Sequence, residues 1–181
     1  MNNITLSTQR LELIAATLEH LCAELDAPER LASPLNAQVA PGWPPGEYDR
    51  DAQEFFRDRL KEGGSAAIGW YSWYAVRRAT PGQPPALVGA GGYFGPPGES
   101  GEIEIGFSVI PAWQALGYAT EIARALVERA FADVHVNNVI AHTAPENLAS
   151  RKVLEKCGFH YVGLDADSGN CLFEIQRNTA S

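Results

Sequence analysis

A glycine-containing turn that leads directly into a long amphipathic helix constrains this chain more than any other feature. The turn is Gln114-Ala115-Leu116-Gly117; a predicted strand ends before it at Pro111, and a predicted helix runs from Gly117 to about Val134. The first amides of a helix lack intrahelical partners, and the helix dipole adds positive charge there. The turn therefore predicts a site for a phosphate or pyrophosphate. Apolar residues give the helix one buried face, at positions 119, 122, 123, 126, 127, 130 and 131.

Small side chains around the turn would let a ligand approach the main chain. Gly117 has no side chain, Ala119 keeps the wall of the site thin, and Thr120 adds a hydroxyl donor. These residues favour a phosphate-bearing cofactor. A nucleotide-binding phosphotransferase is a weaker alternative, because the turn lacks the Gly-Lys-Ser/Thr ending of a P-loop.

Strands and helices alternate along the rest of the chain. Their order predicts an α/β (α+β) fold, one domain over residues 1–181 with a mixed, mostly antiparallel central sheet flanked by helices. The stretch 28–47 contains five prolines and predicts a helix fragment followed by a loop. Predicted strands cover residues 6–14, 67–77, 86–94, 101–110, 138–143, 160–164 and 170–177, and predicted helices cover 17–25, 49–61, 117–134 and 146–157.

Composition excludes several classes of protein. The chain has 181 residues, no run of eighteen apolar residues and no basic-then-apolar leader, so we expect a soluble protein with no membrane partner. A formal net charge of −8 disfavours nucleic acid as a partner. Three cysteines without paired spacing predict neither a disulfide framework nor a metal site, which fits a reducing cytoplasm.

The spacing Gln114-x-x-Gly117-x-Ala119 resembles the segment by which GNAT N-acetyltransferases hold the pyrophosphate of acetyl-coenzyme A. Further segments are similar to the branch of that family that acetylates the N-termini of ribosomal proteins (RimJ/RimL-like). The resemblance runs from about residue 8 to 177 and is strongest over 102–163. The segments that carry it are Thr8-Gln9-Arg10-Leu11-Glu12-Leu13, 105–111, 117–121, Asn147-Leu148-Ala149-Ser150 and 153–159.

The resemblance implies a GNAT-like domain with an acetyl-CoA-binding core at about 101–163 and an acceptor side at about 28–100. It also implies that the Val109 N–H polarises the thioester carbonyl. The residues implied to bind acetyl-CoA are Phe107, Ser108, Val109, Gln114, Ala115, Leu116, Gly117, Tyr118, Ala119, Thr120 and Asn147.

Two carboxylates precede the turn on one face of the predicted strand. Alternation puts Glu102 and Glu104 opposite the apolar residues at 103, 105, 107 and 109. An amine must lose its ammonium proton before it attacks a thioester, so a nearby carboxylate is useful as a base. Family members often place a catalytic Glu on this strand, which implies Glu104 first and Glu102 second. The alternative is that both are solvated charges at the start of a strand.

A thiol-protonating acid is harder to assign. Asn147, Ser150 and Leu154 share one stripe of a predicted helix. Many family members carry a tyrosine where this chain has Leu154, and that tyrosine protonates the departing thiolate. Ser150 matches a serine proposed for this role in the ribosomal-protein branch. Helix capping together with Asn147 is the alternative for Ser150, and water could protonate the thiolate instead.

We therefore expect an acetyl-CoA-dependent N-acetyltransferase whose acceptor is a small-molecule amine or a peptide N-terminus. No nucleophile–base pair is evident, so the amine would attack acetyl-CoA directly. The alternative is a non-catalytic acyl-CoA-binding sensor or interaction module. The acceptor and the formation of a homodimer stay open. His142 is interpreted as structural, and Trp43 and Tyr93 as either acceptor-pocket residues or buried anchors.

Overall fold

The computed structural model describes residues 3–179. Within this range, nine strands form one sheet, and the chain also forms five α-helices. The helices are α1 (Leu18–Asp26), α2 (Ala32–Leu35), α3 (Arg50–Gly63), α4 (Tyr118–Ala132) and α5 (Leu148–Lys156). The strands are β1 (Thr5–Ser7), β2 (Leu11–Ala15), β3 (Gln38–Val39), β4 (Ser72–Arg77), β5 (Ala86–Tyr93), β6 (Glu102–Val109), β7 (Asn138–Thr143), β8 (His160–Leu164) and β9 (Cys171–Gln176).

The sheet is mixed and mostly antiparallel, as the sequence predicts. Its strand order is β1-β2-β4-β5-β6-β7-β9-β8, with β3 beside β5. Along this path the pair β6 and β7 runs parallel, and the other neighbouring pairs run antiparallel. The parallel pair lies in the middle of the sheet, where the chain crosses over through α4.

Each face of the sheet packs against different helices. Trp73 and Ala75 of β4 belong to a core that contains the apolar side of α4, including Ile122 and Leu126. Tyr74 and Val76 of β4 belong to a second core that contains residues of α1 and α3. Because neighbouring strand residues point to opposite faces, the sheet separates α4 from α1 and α3.

Two of the predicted strands are wrong in extent. Residues 6–14 form a hairpin of β1 and β2, because Thr8 hydrogen-bonds with Leu11 and turns the chain. The strand predicted from residue 67 begins at Ser72, since residues 64–67 form a 3₁₀ turn. The short strand β3 was not predicted.

Most helix boundaries agree with the sequence to within two residues. Thr17, Asp49 and Asn147 cap α1, α3 and α5 through their side chains. Gly117 precedes α4 at φ +86°, without a side-chain cap. Within residues 3–179, no helix is both long and apolar enough to cross a membrane.

Candidate active site

Strands β6 and β7 separate halfway along β6. Their parallel pairing joins Glu102 to Asn138 and ends where Glu104 meets Ile140. Strand β6 nevertheless continues to Val109, still paired with β5. The half of β6 nearest the turn therefore has a strand partner on one side and an opening on the other.

The register of β6 tells which main-chain groups face this opening. Ile110 donates to the Val88 carbonyl at 3.0 Å, and Phe94 donates to the Glu104 carbonyl at 3.3 Å. Hydrogen-bonded pairs alternate in an antiparallel ladder, so residues 107 and 109 direct their amides and carbonyls away from β5. The Val109 carbonyl accepts from Gln114 Nε2 at 2.9 Å, which agrees with this direction.

The turn after β6 holds its amides in a conformation suited to an anion. Ala115 has φ +61° and Gly117 has φ +86°, and the exposed segment 114–117 connects them to the first turn of α4. Left-handed residues next to right-handed ones make a concave set of amides that binds anions. A left-handed non-glycine residue costs about 1–3 kcal/mol, so Ala115 stores strain at this place.

Arg10 lies at the same turn, which sequence reasoning did not assign to the site. Its Nη1 donates to the Leu116 carbonyl at 2.9 Å, and its guanidinium stacks over the Tyr118 ring at 4.2 Å. Glu121 orients Arg10 through Nε at 2.8 Å. Partial burial raises the pKa of Glu121, but bonds from Thr8 and Arg10 outweigh this effect and lower that pKa overall. The hairpin turn between β1 and β2 thus adds a cation to the predicted phosphate site.

Glu104 meets a histidine and an aspartate. His142 Nδ1 lies 2.7 Å from Glu104 Oε1, and His142 Nε2 lies 3.5 Å from Asp165 Oδ2. Partial burial lowers the pKa of His142, but the hydrogen bonds and charges of the two carboxylates outweigh it, so the pKa is raised above 6.5. Glu102 is separate and exposed, and it accepts from Asn138 Nδ2 at 3.2 Å.

The contact with Glu104 gives His142 a partner that the sequence could not reveal. His142 is adjacent to the predicted site because β7 runs beside β6, and 38 residues separate the pair. Asp165 was missed, since it follows β8 in a loop without a pattern. The strand register alone could have brought Glu104 and His142 together, had it been known.

Capping together with Asn147, the alternative given for Ser150, involves the Ser150 main chain. Asn147 Oδ1 accepts from the backbone N–H of Ser150 at 3.1 Å. The Ser150 hydroxyl takes no part in this cap. Leu154 is 1% exposed and belongs to the core next to α4, so the stripe predicted along α5 points partly into the protein.

Trp43 and Tyr93 are buried anchors. Trp43 Nε1 donates to Glu24 at 2.7 Å, and the Tyr93 hydroxyl donates to the Leu126 carbonyl. Burial raises the pKa of Tyr93 to about 12. Of the two interpretations left open by the sequence, the buried-anchor interpretation is the one that agrees with these contacts.

Comparisons with known proteins point to one family. Residues 10–160 match the family model of the acetyltransferase (GNAT) domain. The chain is 30% identical over 156 residues to the uncharacterized N-acetyltransferase YjdG of Bacillus subtilis (strain 168), covering 86% of this chain and 89% of YjdG.

Solved structures share the fold over nearly the whole chain. The ribosomal-protein-S5-alanine acetyltransferase of Vibrio fischeri has a TM-score of 0.68 at 15% identity, covering 99% of this chain and 100% of that one. A chimera of the spermidine N-acetyltransferase SpeG of Vibrio cholerae and hSSAT has a TM-score of 0.62 at 16% identity, covering 93% and 96%. The family match over residues 10–160 and the identity to YjdG assign the chain to the GNAT acetyltransferase family.

Proposed function

We propose that this protein transfers the acetyl group of acetyl-coenzyme A to a primary amine. The observation that carries the proposal is the opening between β6 and β7, which ends at a turn with two left-handed residues and Arg10 beside it. A long ligand with an anionic middle fits this arrangement. We also propose that residues 1–181 form one domain, whose acetyl-CoA-binding core lies at about 101–163.

The residues that would hold acetyl-CoA follow from this arrangement. The main chain of β6 at Phe107 and Val109 would pair with the pantetheine arm in the opening, whereas Ser108, whose main chain faces β5, would reach that arm only through its side chain. The amides from Gln114 to Thr120 would bind the pyrophosphate, with Arg10 adding positive charge. Asn147 would contact the same ligand only if its side chain leaves the cap of α5.

The chemistry requires a base, a group that stabilises negative charge and a proton for the thiolate. Glu104 would accept the proton that the amine loses as its nitrogen attacks the acetyl carbon. The Val109 amide would donate to the carbonyl oxygen while negative charge develops there. The carbon–sulfur bond then breaks, and the thiolate takes a proton from Ser150 or from water.

Direct attack is favoured over an acyl-enzyme. A cysteine nucleophile reacts as the thiolate. Burial raises the pKa of Cys157, and Cys171 is buried in β9. The exposed Cys22 lies on α1, outside the opening. All three thiols are free, which supports the reducing cytoplasm that we propose as the location of this protein.

Two substitutions of glutamate by glutamine provide a matched test. Glu104→Gln should lower the rate of coenzyme A release by about 10²–10⁴-fold, because it removes the base. Glu102→Gln, two residues away on the same face, should stay within about threefold of wild type. Calorimetry should give the same acetyl-CoA affinity for both variants. Equal activity of the two variants would contradict the role of Glu104.

A non-catalytic acyl-CoA sensor is the second candidate. The buried Leu154 favours it, since the tyrosine that many family members use as an acid is missing there. Tight acetyl-CoA binding, without coenzyme A release for any amine or N-terminal peptide, would support the sensor. Turnover that depends on Glu104 would exclude it. Failure to bind acetyl-CoA would contradict both candidates.

A further inference from the structure

A cavity of about 170 Å³ lies between α3 and the sheet, on the face that carries Glu104. Its floor consists of residues from β5 and β6, its wall comes from α3, and the loop before α3 forms its rim. The residues that line it are Glu47, Tyr48, Ala52, Phe56, Ala90, Gly91, Gly92, Phe94, Gly106, Phe107 and Ser108.

Small residues in two cross-strand pairs create the floor. Ala90 lies opposite Ser108, and Gly92 lies opposite Gly106. A Cβ added at Gly106 would come within 3.4 Å of the Phe94 ring. The space above the sheet is therefore a consequence of these residue types, since larger side chains at the four positions would fill it.

Aromatic rings make the entrance of the cavity apolar. The rings of Phe56 and Phe94 lie 6.0 Å apart, and those of Phe55 and Phe56 lie 5.3 Å apart. Phe94 is 51% exposed and Phe55 is 41% exposed, although both are large apolar side chains. Phe94 lines the cavity, and Phe55, which contacts the lining residue Phe56, extends this apolar surface, which is of the kind that binds apolar groups.

Charge is sparse around this cavity. Among residues 3–179, Glu47 is the one carboxylate that lines the cavity, it is exposed at the rim, and no lysine or arginine lines the cavity. If the acceptor carried an ammonium group in addition to the reacting amine, that group would lose its hydration inside the cavity and find no buried partner there. An acidic acceptor would meet Glu47 and the carboxylates of the same sheet face.

The position of the cavity relates it to the proposed base. Glu104, Gly106 and Ser108 alternate on one face of β6, so Glu104 lies about 7 Å along the strand from Gly106. A group held over Gly106 would leave an attached amine within reach of Glu104. The cavity is thus next to the proposed chemistry.

We propose that this cavity selects the acceptor: a primary amine that carries one compact, uncharged apolar group, such as a single aromatic ring or a branched aliphatic chain. The inference rests on the proposed acetyl transfer and adds the substrate class. It sets this chain apart from enzymes whose acceptors are polyamines.

The test compares four amines at constant acetyl-CoA: phenethylamine, 3-methylbutylamine, ethylamine and spermidine. Burial of the apolar group should raise kcat/KM for the first two at least about tenfold over ethylamine and spermidine. Equal kcat/KM values, or a preference for spermidine, would overturn the substrate class while leaving acetyl transfer intact. Absence of turnover with all four amines would also overturn the substrate class, and absence of turnover with N-terminal peptides in addition would overturn the proposed acetyl transfer.

A variant that fills the cavity tests its location. Ala52 is half-buried on α3 and lines the cavity, so Ala52→Leu occupies part of the space. It should lower kcat/KM for phenethylamine at least about tenfold and leave ethylamine within about twofold. Ala132→Leu, on the exposed end of α4, is the control and should change neither value. Equal loss for both amines in Ala52→Leu, at an unchanged melting temperature, would overturn the assignment.

Discussion

His142 Nδ1 and Glu104 Oε1 lie 2.7 Å apart across the parallel strands β6 and β7. The distance is that of a charge-assisted hydrogen bond. The pairing of these strands ends at Glu104, so the two side chains lie at the beginning of the opening that we propose for acetyl-CoA. A base placed there would share its proton with His142, and Asp165 on the other ring nitrogen would stabilise the charged imidazole.

The pKa of His142 should therefore lie above 6.5, and Glu104→Gln should lower it, because the stronger of its two carboxylate partners is lost. Titration of the imidazole protons by NMR measures both values. His20 provides an internal contrast, since burial lowers its pKa below 6.5. If His142 in Glu104→Gln kept the wild-type pKa, the hydrogen bond would not exist in solution.

Activity should fall in acid through the same titration. While His142 is protonated, it holds Glu104 as an ion pair, so the carboxylate accepts the proton of an amine less readily. We expect kcat/KM to rise with pH through the raised pKa of His142. His142→Gln should remove this step, while the ionisation of the amine itself remains in both profiles. Identical pH profiles for wild type and variant would contradict the prediction.

The raised pKa also has a consequence for stability. Because the folded state binds the His142 proton more tightly than the unfolded chain does, this proton increases the free energy of unfolding. The increase is largest below pH 6.5. That gain is lost as the pH rises through the folded pKa. The difference in unfolding free energy between wild type and His142→Gln should decrease over this window, as urea titrations at several pH values would measure.

Ser150 can be tested without disturbing α5. The cap uses the Ser150 backbone N–H, so Ser150→Ala keeps the bond to Asn147. If the hydroxyl protonates the thiolate, kcat should fall about 10²–10⁴-fold at an unchanged melting temperature. An unchanged kcat would assign the proton to water. Asn147→Ala, which removes the cap, should instead cost about 1 kcal/mol of stability.

Local sequence patterns predicted the strands and helices that form the site, but they could not predict its long-range contacts. The predicted strands 138–143 and 160–164 agree with β7 and β8, because alternation and flanking turns are local properties. Gly117 opens α4 as the turn predicted. The approach of Arg10 to Leu116 joins residues 106 apart, and it depends on a hairpin turn within residues 6–14, which the sequence predicted as one strand. The roles assigned to the site residues stay predictions.

Gly117→Glu tests the turn as an anion site. Gly117 has φ +86°, and a Cβ added there would lie 3.2 Å from Arg10 Nη2. The variant adds negative charge and backbone strain where the pyrophosphate would bind, so acetyl-CoA affinity should fall at least about a hundredfold by calorimetry. Gly98→Glu is the control, because Gly98 lies in an exposed loop with no atom close to an added Cβ. Retained affinity in Gly117→Glu would place the phosphate site elsewhere.

A separate buried carboxylate holds the loop that forms the rim of the cavity. Glu24 is 1% exposed, and it accepts from Trp43 Nε1 at 2.7 Å, the Tyr48 hydroxyl at 2.9 Å and the Tyr74 hydroxyl at 2.6 Å. Burial raises the pKa of Glu24, and the three hydrogen bonds offset part of the rise. Because Tyr48 lines the cavity, Glu24 ties the acceptor side to α1 and β4.

Glu24→Ala should cost about 3 kcal/mol in unfolding free energy, since it leaves three buried donors without an acceptor. Glu128→Ala, at an exposed position on α4, should stay within about 0.5 kcal/mol of wild type. The pKa of Glu24 is raised above 4.5, so the advantage of wild type over Glu24→Ala should be largest below that pH and decrease as the pH rises through the folded pKa. Looser packing of the loop should also raise KM for the amine while the affinity for acetyl-CoA stays constant. Urea titrations of both variants measure whether Glu24 anchors the acceptor side. Equal unfolding free energies of the two variants would contradict this role.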